Sequence, residues 1–253
     1  MQNYKMILAY DGSRYDGWQK QGNTGNTIQG KLETLLTRLN GAKVEVNGSG
    51  RTDAGVHAKG QTASLVMDTE WDCHVLQETC NRYLPKDIVV LSLEQAPPRF
   101  HARLNAKGKI YTYRIGTSHI RNVFERNYLY DYGKPLDVAA MRQAAVLLTG
   151  THDFQSFCSA KPGKKSTVRT LYDIAITETD REVRLRFHGN GFLYHMVRIL
   201  TGTLIEVGNG SRRYEELVGV LAARDRKRAG FLAPPEGLML MEVEYDQKPQ
   251  KVT

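Results

Sequence analysis

Only three cysteines occur in 253 residues, and no C-x-x-C pair is among them. Cys73, Cys80 and Cys158 are odd in number. Cys73 and Cys80 fall on one side of a helix but too far apart to bridge. Neither a disulfide framework nor a zinc site is expected, and reduced thiols point to a cytoplasmic protein. No apolar run approaches the length of a membrane span. The start, Met1-Gln2-Asn3-Tyr4-Lys5, leads directly into a strand pattern rather than a signal peptide. There is no low-complexity tract, no G-x-G-x-x-G after a strand and no P-loop. No cofactor and no metal are therefore expected.

What the sequence has in excess is positive charge, +8 formally with a pI of about 9.3. It is unevenly spread. Residues 1–104 carry 12 Lys+Arg against 11 Asp+Glu, and residues 105–253 carry 23 against 16. A net +7 loaded into the second part suggests a polyanionic partner, although a basic solvated surface would look the same. The chain is long enough for one large or two small domains.

The first part reads as strand Tyr4–Asp11, helix Ile28–Leu39 capped by Thr27, strand Lys43–Asn47, strand Gln61–Met67, helix Asp72–Tyr83 stopped by Pro85, and strand Ile88–Leu93. That is the ferredoxin-like order, shared by RNA-recognition modules. The loop before Gln21 interleaves Arg14, Tyr15, Trp18 and Lys20, a mixture suited to bases and phosphates. Trp18 itself reads better as an anchor to the core. After Pro97-Pro98, a second, modified copy is expected. It would comprise a strand about Ile110–Ile115, helix Asp137–Leu148, a Lys-bearing loop Phe154–Thr167, paired strands Thr170–Thr177 and Val183–Phe187, helices Phe192–Val207 and Tyr214–Ala223, and a last strand Leu238–Tyr245. The tail Lys248–Thr253 is expected to fray. The division is drawn at 1–104 and 105–253.

The chain is organised around Gly48-Ser49-Gly50-Arg51-Thr52-Asp53-Ala54-Gly55-Val56-His57-Ala58. Glycines at 48, 50 and 55 allow tight turns and close approach by another molecule. One carboxylate, Asp53, sits between Arg51 and His57, and a neighbouring cation favours its ionised form. An ionised carboxylate on a β scaffold is a nucleophile or a general base. Thr52 and Asp53 could equally cap a helical turn or form an Asx-turn. A second anomaly is Arg198, placed mid-helix in the otherwise apolar segment Phe192–Val207. A buried guanidinium needs a carboxylate or a substrate anion, unless it snorkels out.

The run Gly50–Ala58 resembles the active-site signature of the tRNA pseudouridine synthase A family. The likeness extends to Tyr10-Asp11-Gly12 with Tyr15, Gly17-Trp18-Gln19, Thr27-Ile28-Gln29, Phe100-His101-Ala102-Arg103, Tyr111 with Tyr113, and His195-Met196-Val197-Arg198. It implies an α+β fold of two ferredoxin-like halves forming one extended, mainly antiparallel sheet with a central catalytic cleft. It further implies a homodimer acting on tRNA. The reaction would be isomerisation of uridine to pseudouridine at positions 38, 39 and 40 of the anticodon stem-loop, on a flipped-out base. The family's nucleophile falls on Asp53 and its substrate-contacting tyrosine on Tyr111. Arg51 would fill the vacated space or hold the backbone, and Arg198 would pair with Asp53.

Two other classes compete. A non-catalytic RNA-binding module would carry an RNP1-like aromatic run, which is absent. A two-carboxylate hydrolase would need a second acid near Asp53, and the loop has none. A paralogue modifying another RNA is a narrower alternative, raised by the loop Ser159–Ser166.

Overall fold

Alternating apolar residues in the first strand set the frame for the first part of the chain. The structure is a computed structural model that describes residues 1–160, 163 and 166–246. Lys161, Lys164 and Lys165, and the tail Lys248–Thr253, lie outside the described residues. The chain divides into two units, Met1–Lys107 with Leu240–Thr253, and Gly108–Met239.

In the first unit, β1 (Gln2–Tyr10) buries Tyr4, Met6, Leu8 and Tyr10 on one face. Helix α1 (Ile28–Asn40) follows, then β2 (Val46–Gly48), β3 (His57–Met67), α2 (Cys73–Tyr83) and β4 (Ile88–Gln95). Helix α1 buries Ile28, Leu32, Leu35 and Leu36, and α2 buries Leu76 and Cys80. Each such large apolar side chain contributes about 1.5–3 kcal/mol by leaving water. The expected helix starts hold. The Thr27 hydroxyl accepts from the Gly30 N–H, and the Asp72 carboxylate accepts from the Val75 N–H. The strands run β4-β1-β3, all antiparallel, with β2 along β3 opposite Leu65–Ala63.

Strand β2 is shorter than the expected Lys43–Asn47, and β3 begins at His57 rather than Gln61. The polar look of His57-Ala58-Lys59-Gly60 hides the extension. Ala58 pairs with Tyr10, and both His57 and Ala58 are buried.

The second unit contains β5 (Ala106–Gly116), β6 (Tyr130–Asp131), α3 (Val138–Leu148), β7 (Gly150–Asp153), β8 (Val168–Glu178), β9 (Glu182–Gly189), α4 (Met196–Gly208) and α5 (Glu216–Ala223). The last strand, β10 (Leu238–Tyr245), crosses into the first unit and neighbours β3 there. In the second unit the order is β5-β9-β8-β7, antiparallel, with β6 parallel to β5. Asp137 caps α3 through the Ala140 N–H, and α3 packs against α4 and β8.

Helix α4 starts four residues later than expected. His195 stands immediately before it with φ 64°, in the left-handed region, and that conformation separates Phe192–Tyr194 from the helix. Arg198 is therefore in the first turn of α4, not its middle. Among the described residues, no helix is long and apolar enough to cross a membrane.

Candidate active site

Asp53 lies on the loop between β2 and β3, half-buried, with Thr52 buried before it and Val56 buried after. Gly55 takes φ 78°, and the Val56 N–H donates to the Asp53 carbonyl at 3.1 Å, closing a turn around the carboxylate residue. This loop rests on the segment that follows β1. The Trp18 N–H donates to the Thr52 carbonyl at 3.0 Å, and the Gly55 N–H reaches the Tyr15 carbonyl at 3.4 Å.

The packing leaves no room for side chains at two glycines. A Cβ on Gly12 would stand 2.0 Å from the Val56 carbonyl oxygen. One on Gly17, whose φ is 93°, would stand 2.8 Å from the Thr52 carbonyl oxygen. Both would force the loop to move. Trp18 is 2% exposed and its indole lies beneath Gly48. It is the core anchor that the sequence indicated.

His57 is buried at the end of the loop, and its Nδ1 accepts the Gly12 N–H at 3.1 Å. The Asp11 carboxylate lies 3.2 Å from the same nitrogen and accepts from Ser13, through its N–H at 2.9 Å and its hydroxyl at 2.6 Å. The segment is tied down on its far side by Asp87. That carboxylate accepts from the Tyr15 hydroxyl and from Arg14, both at 2.5 Å. Burial raises the Asp87 pKa, but these two donors outweigh it and hold the carboxyl below the usual range.

Arg51 is exposed, and its Nε donates to Gln19 Oε1 at 3.0 Å. The guanidinium thus lies at the rim of the loop, against the segment that follows β1. Beneath the loop, the Tyr10 and Thr52 hydroxyls meet at 2.8 Å, and Gln61 reaches the Gly50 carbonyl at 3.0 Å. Nothing in the sequence pattern singled out these pairings, because they join residues far apart in the chain. The one available signal was polar Gln61 on the buried face of a strand.

Tyr111 and Arg198 belong to the second unit. Tyr111 is 7% exposed on β5, opposite Phe187, and meets the Phe192 ring edge-on at 5.1 Å. Tyr113, two residues on, is fully buried. Its hydroxyl donates to the Pro234 carbonyl at 2.7 Å, and burial pushes the phenol far above its ordinary pKa. It is a core aromatic with a satisfied hydroxyl.

Arg198 is 9% exposed. Its Nε donates to the Ala233 carbonyl at 2.7 Å, while the Ala233 N–H donates to the Arg198 carbonyl at 3.2 Å. Carbonyls of the adjacent residues 233 and 234 thus hold Arg198 of α4 and Tyr113 of β5. The sequence reading gave this segment no role. A cation in the first turn of a helix opposes the macrodipole, so its placement costs stability.

A family model described as tRNA pseudouridine synthase matches residues 6–105 and 144–246. The chain is 45% identical over 245 residues to the tRNA pseudouridine synthase A of Bacillus sp. (strain KSM-64), covering 97% of this chain and 100% of that one. It is 42% identical over 245 residues to the tRNA pseudouridine synthase A 1 of Clostridium tetani (strain Massachusetts / E88), with the same coverage. Among solved structures, a Cbf5–Nop10–Gar1 complex aligns at 12% identity with a TM-score of 0.39. That alignment covers 94% of this chain and 48% of that one, a likeness too slight to argue from.

Proposed function

The chain belongs to the tRNA pseudouridine synthase family, and from that premise we propose that it converts uridines 38, 39 and 40 of the tRNA anticodon stem-loop to pseudouridine with Asp53 as nucleophile. The enzyme is an isomerase. The bond from C1′ to N1 breaks, the base rotates, and a bond from C1′ to C5 forms. C5 gives up its proton and N1 gains one, so nothing is oxidised or reduced. Asp53 attacks either the base or C1′ to hold the two parts together during rotation. The target nucleotide leaves the stack to reach it.

Tyr111 stacks on the flipped base, with its hydroxyl near the proton lost from C5. Arg51, exposed at the rim of the Asp53 loop, holds the backbone or fills the vacated space. Arg198 pairs with Asp53, which would offset the cost of its burial and keep the nucleophile ionised. The order β4-β1-β3 with two helices between the strands supports a ferredoxin-like first half, and the second half is read as its modified copy. The enzyme acts in the cytoplasm as a homodimer, with one tRNA reaching across both subunits.

The observation that carries this reading is the half-buried carboxylate of Asp53 on a loop held by backbone contacts, inside the matched signature. Its test is Asp53→Asn, assayed by tritium release from 5-tritiated uridine in tRNA. Turnover should fall by about 10⁴-fold or more, as for other loss of a covalent nucleophile. Binding of tRNA should persist. Turnover close to that of the wild type would refute the assignment.

A further inference from the structure

A chain of polar side chains runs beneath the Asp53 loop, and all four members are buried: Ser49 and Gln61 at 0% exposure, Tyr10 at 4% and Thr52 at 6%. The Ser49 hydroxyl donates to Gln61 Oε1 at 2.7 Å. The Gln61 amide donates to the Gly50 carbonyl at 3.0 Å and lies 3.5 Å from the Tyr10 hydroxyl. The Tyr10 and Thr52 hydroxyls are 2.8 Å apart. An amide nitrogen can only donate, so the Tyr10 oxygen accepts from Gln61, and it shares one further hydrogen bond with the Thr52 hydroxyl. Burial pushes the Tyr10 phenol up to about 12, so its proton is retained across the working range of pH.

Polar partners replaced together by apolar groups of the same shape can leave stability nearly unchanged, so stability alone does not account for such a chain. What the chain does is fix Ser49, Gly50 and Thr52 to β1 and β3. Thr52 is held twice, by its hydroxyl from Tyr10 and by its carbonyl from the Trp18 N–H. The peptide that leads into Asp53 is therefore pinned in place and in rotation.

We propose that Tyr10 and Thr52 are positioning residues for Asp53: their buried hydroxyl pair sets the peptide before the nucleophile, and with it the line of attack. The inference rests on Asp53 being the nucleophile. It assigns the two hydroxyls no contact with substrate. Displacing a reacting group by about 1 Å costs on the order of 10²-fold in rate, so a hydroxyl that never touches the RNA can still govern the chemical step.

Four variants test it: Thr52→Val, Thr52→Ser, Tyr10→Phe, and the double variant Tyr10→Phe with Thr52→Val. Single-turnover pseudouridine formation and tRNA Kd are measured on each, with melting temperature as a control. Thr52→Val and Tyr10→Phe should each lower the single-turnover rate by about 10–100-fold while Kd stays within about twofold. Thr52→Ser, which keeps the hydroxyl, should restore most of the rate. The double variant should be no slower than the slower single one, because one interaction is removed twice. A full rate in Thr52→Val, a loss confined to Kd, or multiplicative losses in the double variant would each overturn the proposal. If Thr52→Val fails to fold, Tyr10→Phe decides alone, and a full rate there overturns it. Asp53→Asn is run in parallel. An active Asp53→Asn takes down both readings; an inactive one beside a full-rate Thr52→Val takes down this one only.

Discussion

The Asp53 loop is held by backbone contacts and by neutral side chains beneath it, while Arg198 is held through its own charged side chain as well as its backbone. Around Asp53 the restraints are amide-to-carbonyl contacts from Trp18 and Gly55, with glycines at 12 and 17 pressed against the loop. At Arg198 the guanidinium itself is engaged, with Nε on the Ala233 carbonyl, in a helix whose other first-turn residues are apolar. The Asp53 loop is disturbed when a neighbour gains a Cβ or when the buried Tyr10–Thr52 hydroxyl pair is lost. A side-chain-held residue fails when its own geometry changes, even at constant charge. The two arrangements therefore make different predictions about which substitutions damage the enzyme.

The largest contrast is expected at Arg198. Lysine keeps the charge but loses the planar fork and the Nε donor, so Ala233 loses its partner and the cation is re-aimed. Arg198→Lys should lower the chemical rate by about 10²-fold, comparable to losing one fixed donor at a reacting centre. Its tRNA affinity should change far less. Single-turnover kinetics beside filter-binding measurements would check this. Equal losses in rate and affinity would mean that Arg198 holds RNA rather than the nucleophile.

A smaller effect is expected at Gly17. Its φ of 93° and its closeness to Thr52, Asp53 and Ala54 leave no unstrained place for a methyl group. Gly17→Ala should cost about 1–3 kcal/mol in backbone strain, and each kcal/mol should lower the melting temperature by ~2–4 °C. Turnover should fall with it, since the displaced atoms belong to Asp53 and its neighbours. Calorimetry with a parallel activity assay would test both parts. A variant that melts early yet turns over normally would show that the loop moves without carrying Asp53 off line.

How much of this was legible in the sequence depended on whether the cause was local. Thr27, Asp72 and Asp137 were recognisable as helix starts because a cap acts on an amide two or three residues away. The family likeness around Asp53 was legible because that stretch is contiguous. The left-handed His195 was not, since a positive φ at a non-glycine residue has no compositional mark. The start of β3 at His57 was hidden for a related reason. Its first residues join the sheet through the pairing of Ala58 with Tyr10, which lies 48 positions away in the chain. Strands β6 and β7 are too short for alternation to declare them. The Arg51–Gln19 contact had no mark in the sequence, because position along the chain says nothing about where a long side chain turns. The Tyr10–Thr52 and Arg198–Ala233 contacts are tertiary throughout.

The smallest expected effect concerns pH, and it sharpens the contrast between the units. The second unit fastens its β5–β9 edge with charge: Arg114 donates to both Glu182 oxygens at 2.8 and 2.7 Å, and also to Glu125. Burial acts to raise the Glu182 pKa, but Arg114 and Arg184 outweigh it and hold the carboxyl below its ordinary range. A carboxylate lowered in this way contributes stability that is fully present above the unfolded pKa of about 4.3 and is lost as pH falls through the folded value. Glu182→Gln should therefore lower the melting temperature by a few degrees at neutral pH, and the gap from the wild type should close as pH drops below about 4. The buried chain under Asp53 is neutral, with Tyr10 keeping its proton until about 12. Any melting difference caused by Tyr10→Phe should stay constant between about pH 4 and 9, where neither phenol nor amide titrates. Melting curves of both variants across that range separate the two modes of fastening. A Glu182→Gln gap that does not close in acid would mean that Arg114 is held by packing rather than by charge.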